Sequence, residues 1–168
     1  MSFWIPVGTA VQTLGLALMV GGMLALGAFT APALFKQLAR PEAAELMTVI
    51  FRRYDGVILA SLLLVFVGEL ARTILAGQSL NVALLGWMGG FRYGLLLLMT
   101  VLTLLSTLWL NPQIESMEVA RRQSAEGALR DPVAFAKLHR TSEKLYKLQL
   151  LMAVGLLLLT PFVSASKG

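Results

Sequence analysis

Glu69 is the residue in this sequence whose type and position most demand a chemical explanation. It lies inside an apolar stretch running from Val57 to Ala76, where a carboxylate has to be paired, hydrated or protonated. Arg72 follows one helical turn later, and Arg92 stands at similar depth if the next apolar stretch begins near Leu84. The spacing predicts a Glu69-Arg72-Arg92 cluster. Two chemistries fit it: a structural ion pair whose arginines reach outward to the headgroups, or a proton or ion site.

A second constellation is carried by His139, Ser142, Glu143 and Tyr146, which fall at i, i+3, i+4 and i+7 and so share one face of a helix. The histidine is expected to hydrogen-bond a neighbouring helix near Asn111, Arg53 or Asp55. Arg53, Asn111, His139 and Ser142 form the candidate polar face. The absence of cysteine removes disulfides, thiolate nucleophiles and the usual zinc and iron-sulfur sites. Met19 and Met23 are the available soft ligands and leave copper as a minor reading, with haem alongside it. No catalytic, cofactor or metal residue is assigned. Without a nucleophile-base-orienter set, a phosphate loop or a zinc helix motif, the chain is not expected to be an enzyme.

The elements that must position these residues follow from composition. Of 168 residues, 57% are hydrophobic and 14% charged, with mean hydropathy +0.76, far from the soluble average of about 25% charged. Blocks of about 20 or more apolar residues, each reaching about 30 Å as a helix, read as bilayer spans. They predict an all-α polytopic membrane protein, a single domain over residues 1–168 with spans at 6–29, 57–76, 88–110 and 145–163. The four spans are expected as two hairpins with cytoplasmic helical extensions.

The chain carries 14 Lys and Arg, and all but Arg72, Arg92 and Lys167 fall in the two connections after spans one and three or, as Lys147 does, just inside the following span. The positive-inside rule therefore puts those connections in the cytoplasm and both termini outside a cell membrane. The pI near 10.0 reflects this topology and attraction to anionic headgroups, and nucleic acid is not an expected partner. No Lys or Arg precedes Lys36, so the first block is expected to be retained as a helix and not cleaved as a signal peptide.

Finer patterns add detail. Ala43, Leu46, Met47, Ile50 and Tyr54 form an apolar stripe opposite Glu42, Glu45 and Arg52, predicting an amphipathic helix on the membrane surface or on the bundle. Asp131 before Pro132 predicts an N-cap, with the fourth helix starting there and projecting into the cytoplasm. Ala17, Gly21 and Ala25, at spacing four, with Gly15, Gly22 and Ala28 nearby, predict close helix packing; the other reading is a small-residue solute path with Gln12 and Thr13. A weak repeat sets a proline turn after spans one and three (Ala31-Pro32, Asn111-Pro112), then a charged amphipathic stretch, then an arginine-bearing entry to the next span.

The order Ala31-Pro32-Ala33-Leu34-Phe35, Phe51-Arg52-Arg53-Tyr54, Trp109-Leu110-Asn111-Pro112 and His139-Arg140-Thr141-Ser142 resembles the transmembrane protein 205 family and its bacterial relatives of unknown function. The resemblance spans nearly the whole chain, and Tyr146 departs from it by standing where that family usually has Asn. It implies a four-helix membrane protein of poorly defined activity, with a eukaryotic relative linked to platinum-drug resistance and hence to export or trafficking.

The functional expectation is a transport- or permeation-related membrane component acting through the cytoplasmic polar face and the Glu69 cluster. The alternatives are an accessory subunit of a larger membrane complex and a metal- or haem-associated membrane protein. Expected partners are the lipid bilayer and either further copies of the chain or another membrane protein.

Overall fold

The computed structural model describes residues 3–75, 87–123 and 131–165. The described elements are helices: α1 (Trp4–Leu24), α2 (Ala31–Gln37), α3 (Arg40–Leu70), α4 (Trp87–Leu105), α5 (Asn111–Gln123) and α6 (Pro132–Ala165). π-Helical segments at Ala25–Thr30 and Ser106–Leu110 carry α1 into α2 and α4 into α5 without a break, and a third, Ala71–Leu75, continues α3.

Among the described residues, three continuous helices are thus long and apolar enough to cross a bilayer: Trp4–Gln37, Arg40–Thr73 and Gly89–Arg121. Only 28%, 33% and 28% of their most apolar stretches are buried within the protein, so most of that apolar surface faces outward. Leu63, Leu97, Leu108 and Leu151 are among the large side chains left exposed, an arrangement suited to hydrocarbon and not to water. The expected fourth span, 145–163, lies within α6. Side chains beyond Thr160, and the links 76–86 and 124–130, fall outside the described residues.

The expected proline turns at Ala31-Pro32 and Asn111-Pro112 are corrected: both prolines sit inside continuing helix, each at the second residue after a π-helical segment. Proline lacks the N–H that would reach back four residues, and its ring crowds the carbonyl there. A wider turn just before it absorbs both defects without ending the helix. Thr30 Oγ1 donates to the Ala25 carbonyl, five residues back, at 2.9 Å within the first such turn. The two halves share this device, and the spans at 6–29 and 88–110 extend accordingly to Gln37 and Arg121.

The amphipathic stretch 43–54 and the second span likewise form one helix. Ala43, Met47 and Tyr54 are buried, Ile50 is half-buried and Leu46 is exposed, so the stripe packs on the bundle through four of its five residues. Asp131 does cap α6: its Oδ1 accepts from the backbone N–H of Val133 at 3.1 Å and of Ala134 at 2.9 Å.

α1 is the central helix, packing most extensively on α3 and also on α6, which in turn packs on α4. Its contact with α3 is set by a seven-residue repeat running in opposite directions on the two helices. Gly8, Gly15 and Gly22 meet Gly68, Ser61 and Tyr54. A Cβ at Gly8 would stand 2.6 Å from the Gly68 carbonyl oxygen, and one at Gly15 2.6 Å from that of Ser61. The backbones therefore touch directly, as lipid-embedded helices require when association rests on close packing. Of the small residues expected to pack, Gly15 and Gly22 lie on this face, whereas Ala17, Gly21, Ala25 and Ala28 are exposed, and a Cβ on Gly21 would meet nothing within 4 Å. Leu16, Met19, Met23, Leu62, Val65, Met99 and Leu156 fill the core.

Candidate functional site

The structure brings Glu69, Arg72 and Arg92 together at one end of the bundle. Glu69 ends α3, Arg72 follows it in the Ala71–Leu75 segment, and Arg92 comes across from α4. They are 6%, 8% and 1% exposed, so these are buried charges and the arginines do not extend to the surface. Glu69 Oε1 accepts from Arg72 Nη2 at 2.8 Å, Arg92 Nη1 at 3.0 Å, Tyr93 OH at 2.5 Å and Thr73 Oγ1 at 3.3 Å. Its Oε2 accepts from Gln12 Nε2 of α1 at 2.9 Å and from Arg92 Nη2.

A carboxylate offers about four lone-pair positions, and six donors converge on this one. Every acceptor direction is taken, the anion is held by two guanidinium groups, and little room is left for a proton to bind. Three helices are thereby pinned at one point. Gln12, Thr73 and Tyr93 are the members the sequence reading did not join to the cluster. Gln12 was visible as a polar residue in an apolar block, and Tyr93 as the neighbour of Arg92, but neither position reveals its partner.

At the opposite end, α1, α2, α3, α5 and α6 surround a cavity of about 590 Å³. Asn111, His139 and Ser142 line it, as do Glu143 and Tyr146 from the same α6 face. The predicted polar face is thus assembled with one correction: Arg53 is exposed and does not line the cavity. Its neighbour Arg52 does, and pairs with Glu115 of α5 at 3.0 Å. In a helix, adjacent residues are about 100° apart, so the packing of Tyr54 against α1 decides which of the two exposed arginines faces Glu115.

His139 is a second correction. Instead of reaching another helix, its Nε2 lies 3.5 Å from Glu143 Oε1 on α6, and its ring stacks on Phe135. Asn111 Nδ2 donates to Asp55 Oδ1 at 2.9 Å, joining α5 to α3 beside the cavity. Tyr146 OH donates to the Met23 carbonyl of α1, and Tyr54 OH to that of Met19 at 3.0 Å. These bonds tie α6 and α3 to α1. The rest of the wall is largely apolar, from Met23, Met47, Phe35, Phe51, Ile114 and Leu150. A chamber with apolar walls and a polar end can hold an amphipathic small molecule. Among the described residues, no group of three or more His, Cys, Asp or Glu converges to hold a metal ion.

Residues 14–123 match the family described as a domain of unknown function, DUF4149. The matched stretch contains Glu69, Arg72, Arg92 and Asn111, whereas Gln12, His139 and Ser142 lie outside it. No curated protein and no solved structure matches the chain.

Proposed function

The chain belongs to the DUF4149 family, and we propose that it is a transport- or permeation-related membrane component that takes an amphipathic small molecule into the cavity at its His139 end. The observation that carries this reading is the cavity itself, about 590 Å³, which is large enough for a small organic ligand and gathers Asn111, Ser142 and Glu143 against apolar walls. The reading includes four spans as two hairpins, with α6 supplying the fourth. It puts both termini outside a cell membrane and the cavity on the cytoplasmic side, in accord with the Lys and Arg distribution. The motif order supports kinship with the transmembrane protein 205 family.

In this reading the protein is not an enzyme, and the Glu69 cluster is a structural lock. A carboxylate already holding six donors is poorly suited to exchange protons. A neutral fluorescent amphiphile titrated against the purified protein tests the proposal. Saturable binding that disappears in Ala28→Trp, which fills the cavity, supports it. Binding indistinguishable between the two proteins overturns it. Protein-dependent uptake of the same compound into proteoliposomes tests the transport element.

One observation favours the accessory-subunit reading instead. The small-residue stripe Ala17, Gly21 and Ala25 faces outward, where another transmembrane helix could approach closely. A stoichiometric foreign partner retained in mild detergent would favour that reading, and a homo-oligomer the first.

A further inference from the structure

The distribution of charge around the His139-end cavity is the reverse of the distribution around that end of the molecule. Lys36, Arg40, Arg53, Lys137, Arg140 and Lys144 are all exposed, and none of them lines the cavity. The lining instead carries four carboxylates, Asp55, Glu115, Glu118 and Glu143, against the cations Arg52 and Lys147. Two of the four are neutralised by arginines: Glu115 by Arg52 at 3.0 Å and Glu118 by Arg121. Among the described residues, Asp55 is held by the neutral amide of Asn111, at 2.9 Å, and Glu143 by His139, at 3.5 Å. Against Lys147, the remaining cation among the described lining residues, these two leave that lining with an excess of one negative charge.

The walls point the same way. Phe35, Phe51, Phe135 and Tyr146 all border the cavity, and the faces of aromatic rings carry negative potential that attracts cations, the more so where water is excluded. Asp55 is half-buried, so its field is less screened than that of a surface carboxylate.

We propose that the cavity selects an amphiphilic organic cation, with Asp55 and Glu143 as its charge partners and the aromatic side chains as its walls. This deepens the functional reading above and rests on it, because it names the class of molecule the same cavity takes.

Tetraphenylphosphonium and tetraphenylborate are nearly equal in size and shape and opposite in charge, so together they separate charge selection from hydrophobic filling. Equilibrium dialysis of each against the purified full chain is compared with empty micelles and with the cavity-filling variant Ala28→Trp. The expected result is saturable cation binding at least about tenfold tighter than anion binding, a difference of about 1.4 kcal/mol, and lost in Ala28→Trp. Asp55→Asn keeps an oxygen that can accept from Asn111, and is expected to weaken cation binding several-fold without improving or impairing the fold. A circular-dichroism melt within a few degrees of the parent checks the latter. Equal affinity for the two ions, lost in Ala28→Trp, overturns the cation assignment and leaves the cavity reading standing. No binding of either ion above the Ala28→Trp level overturns both.

Discussion

Replacing Glu69 by Gln removes one negative charge from a site that holds two guanidinium groups, and the cost can be worked from the geometry. In the parent, Arg92 is 1% exposed and places both terminal nitrogens on the carboxylate, while Arg72, 8% exposed, places one. Glutamine keeps one oxygen acceptor but introduces an amide donor toward some of the same donors. The two arginines are then buried with no anion between them. Among the described residues, no other carboxylate bonds to either arginine of the cluster, so none is at hand to replace it. Removing one partner of a buried ion pair costs about 3–5 kcal/mol, and the upper part of that range is expected here because two cations are left at once. The assay is reversible unfolding in mixed micelles with increasing denaturing detergent, followed by circular dichroism.

A double-mutant cycle isolates the pair. Arg92→Met alone is expected to be destabilising because Glu69 loses two donors. The double variant Glu69→Gln/Arg92→Met is expected to cost at least about 2 kcal/mol less than the sum of the singles, within the coupling range of residues in one network. Glu69→Gln within about 0.5 kcal/mol of the parent, the ordinary scatter of neutral surface changes, would refute the structural-lock argument. It would return Glu69 to the list of groups free to titrate.

Two further outcomes follow from the packing. Gly68→Ala puts a Cβ 2.5 Å from the Gly8 carbonyl oxygen and is expected to separate α1 from α3 at a cost above about 3 kcal/mol, by analogy with the overpacking of cores; Gly21→Ala, which meets nothing within 4 Å, is expected to stay within about 1 kcal/mol of the parent, and equal effects in the same unfolding assay would contradict the seven-residue interface. Tyr54→Phe removes the donor to the Met19 carbonyl while keeping the ring, so a loss of about 0.5–1.5 kcal/mol is expected, and no loss would mean that this bond does not tie α3 to α1.

Much of the molecule was legible because bilayer insertion is governed by sums over consecutive residues. Long apolar blocks predict the helices that stand at Trp4–Gln37, Arg40–Thr73 and Gly89–Arg121, and the Asp131-Pro132 pair gives the start of α6 to the residue. The Glu69 cluster was legible in part. A lone carboxylate in an apolar block must find cations, and only Arg72 and Arg92 were near enough in depth. The donors Gln12, Thr73 and Tyr93 were not, since hydroxyls and amides satisfy many kinds of partner and their spacing names none. The small residues of α1 are legible as a packing signal only in part, for a related reason. Gly15 and Gly22 do meet α3, while Ala17, Gly21 and Ala25 face outward; spacing four describes one face of α1 and spacing seven another, and only contact with α3 decides between them.

The medium, the helical class and the division of charge between the two ends belong to the amino-acid order itself, because transfer into hydrocarbon is priced residue by residue and backbone groups there have no alternative to the helix. Which arginine of the Arg52-Arg53 pair meets Glu115, and how Asp55 and Asn111 come within 2.9 Å across 56 positions of chain, depend on helix rotation. So do the passage of helix through two prolines and the chamber beside Tyr146. Rotation is fixed only when two helices interlock, at Gly8 on Gly68 and Gly15 on Ser61, since lipid presses equally on every apolar face and prefers none of them.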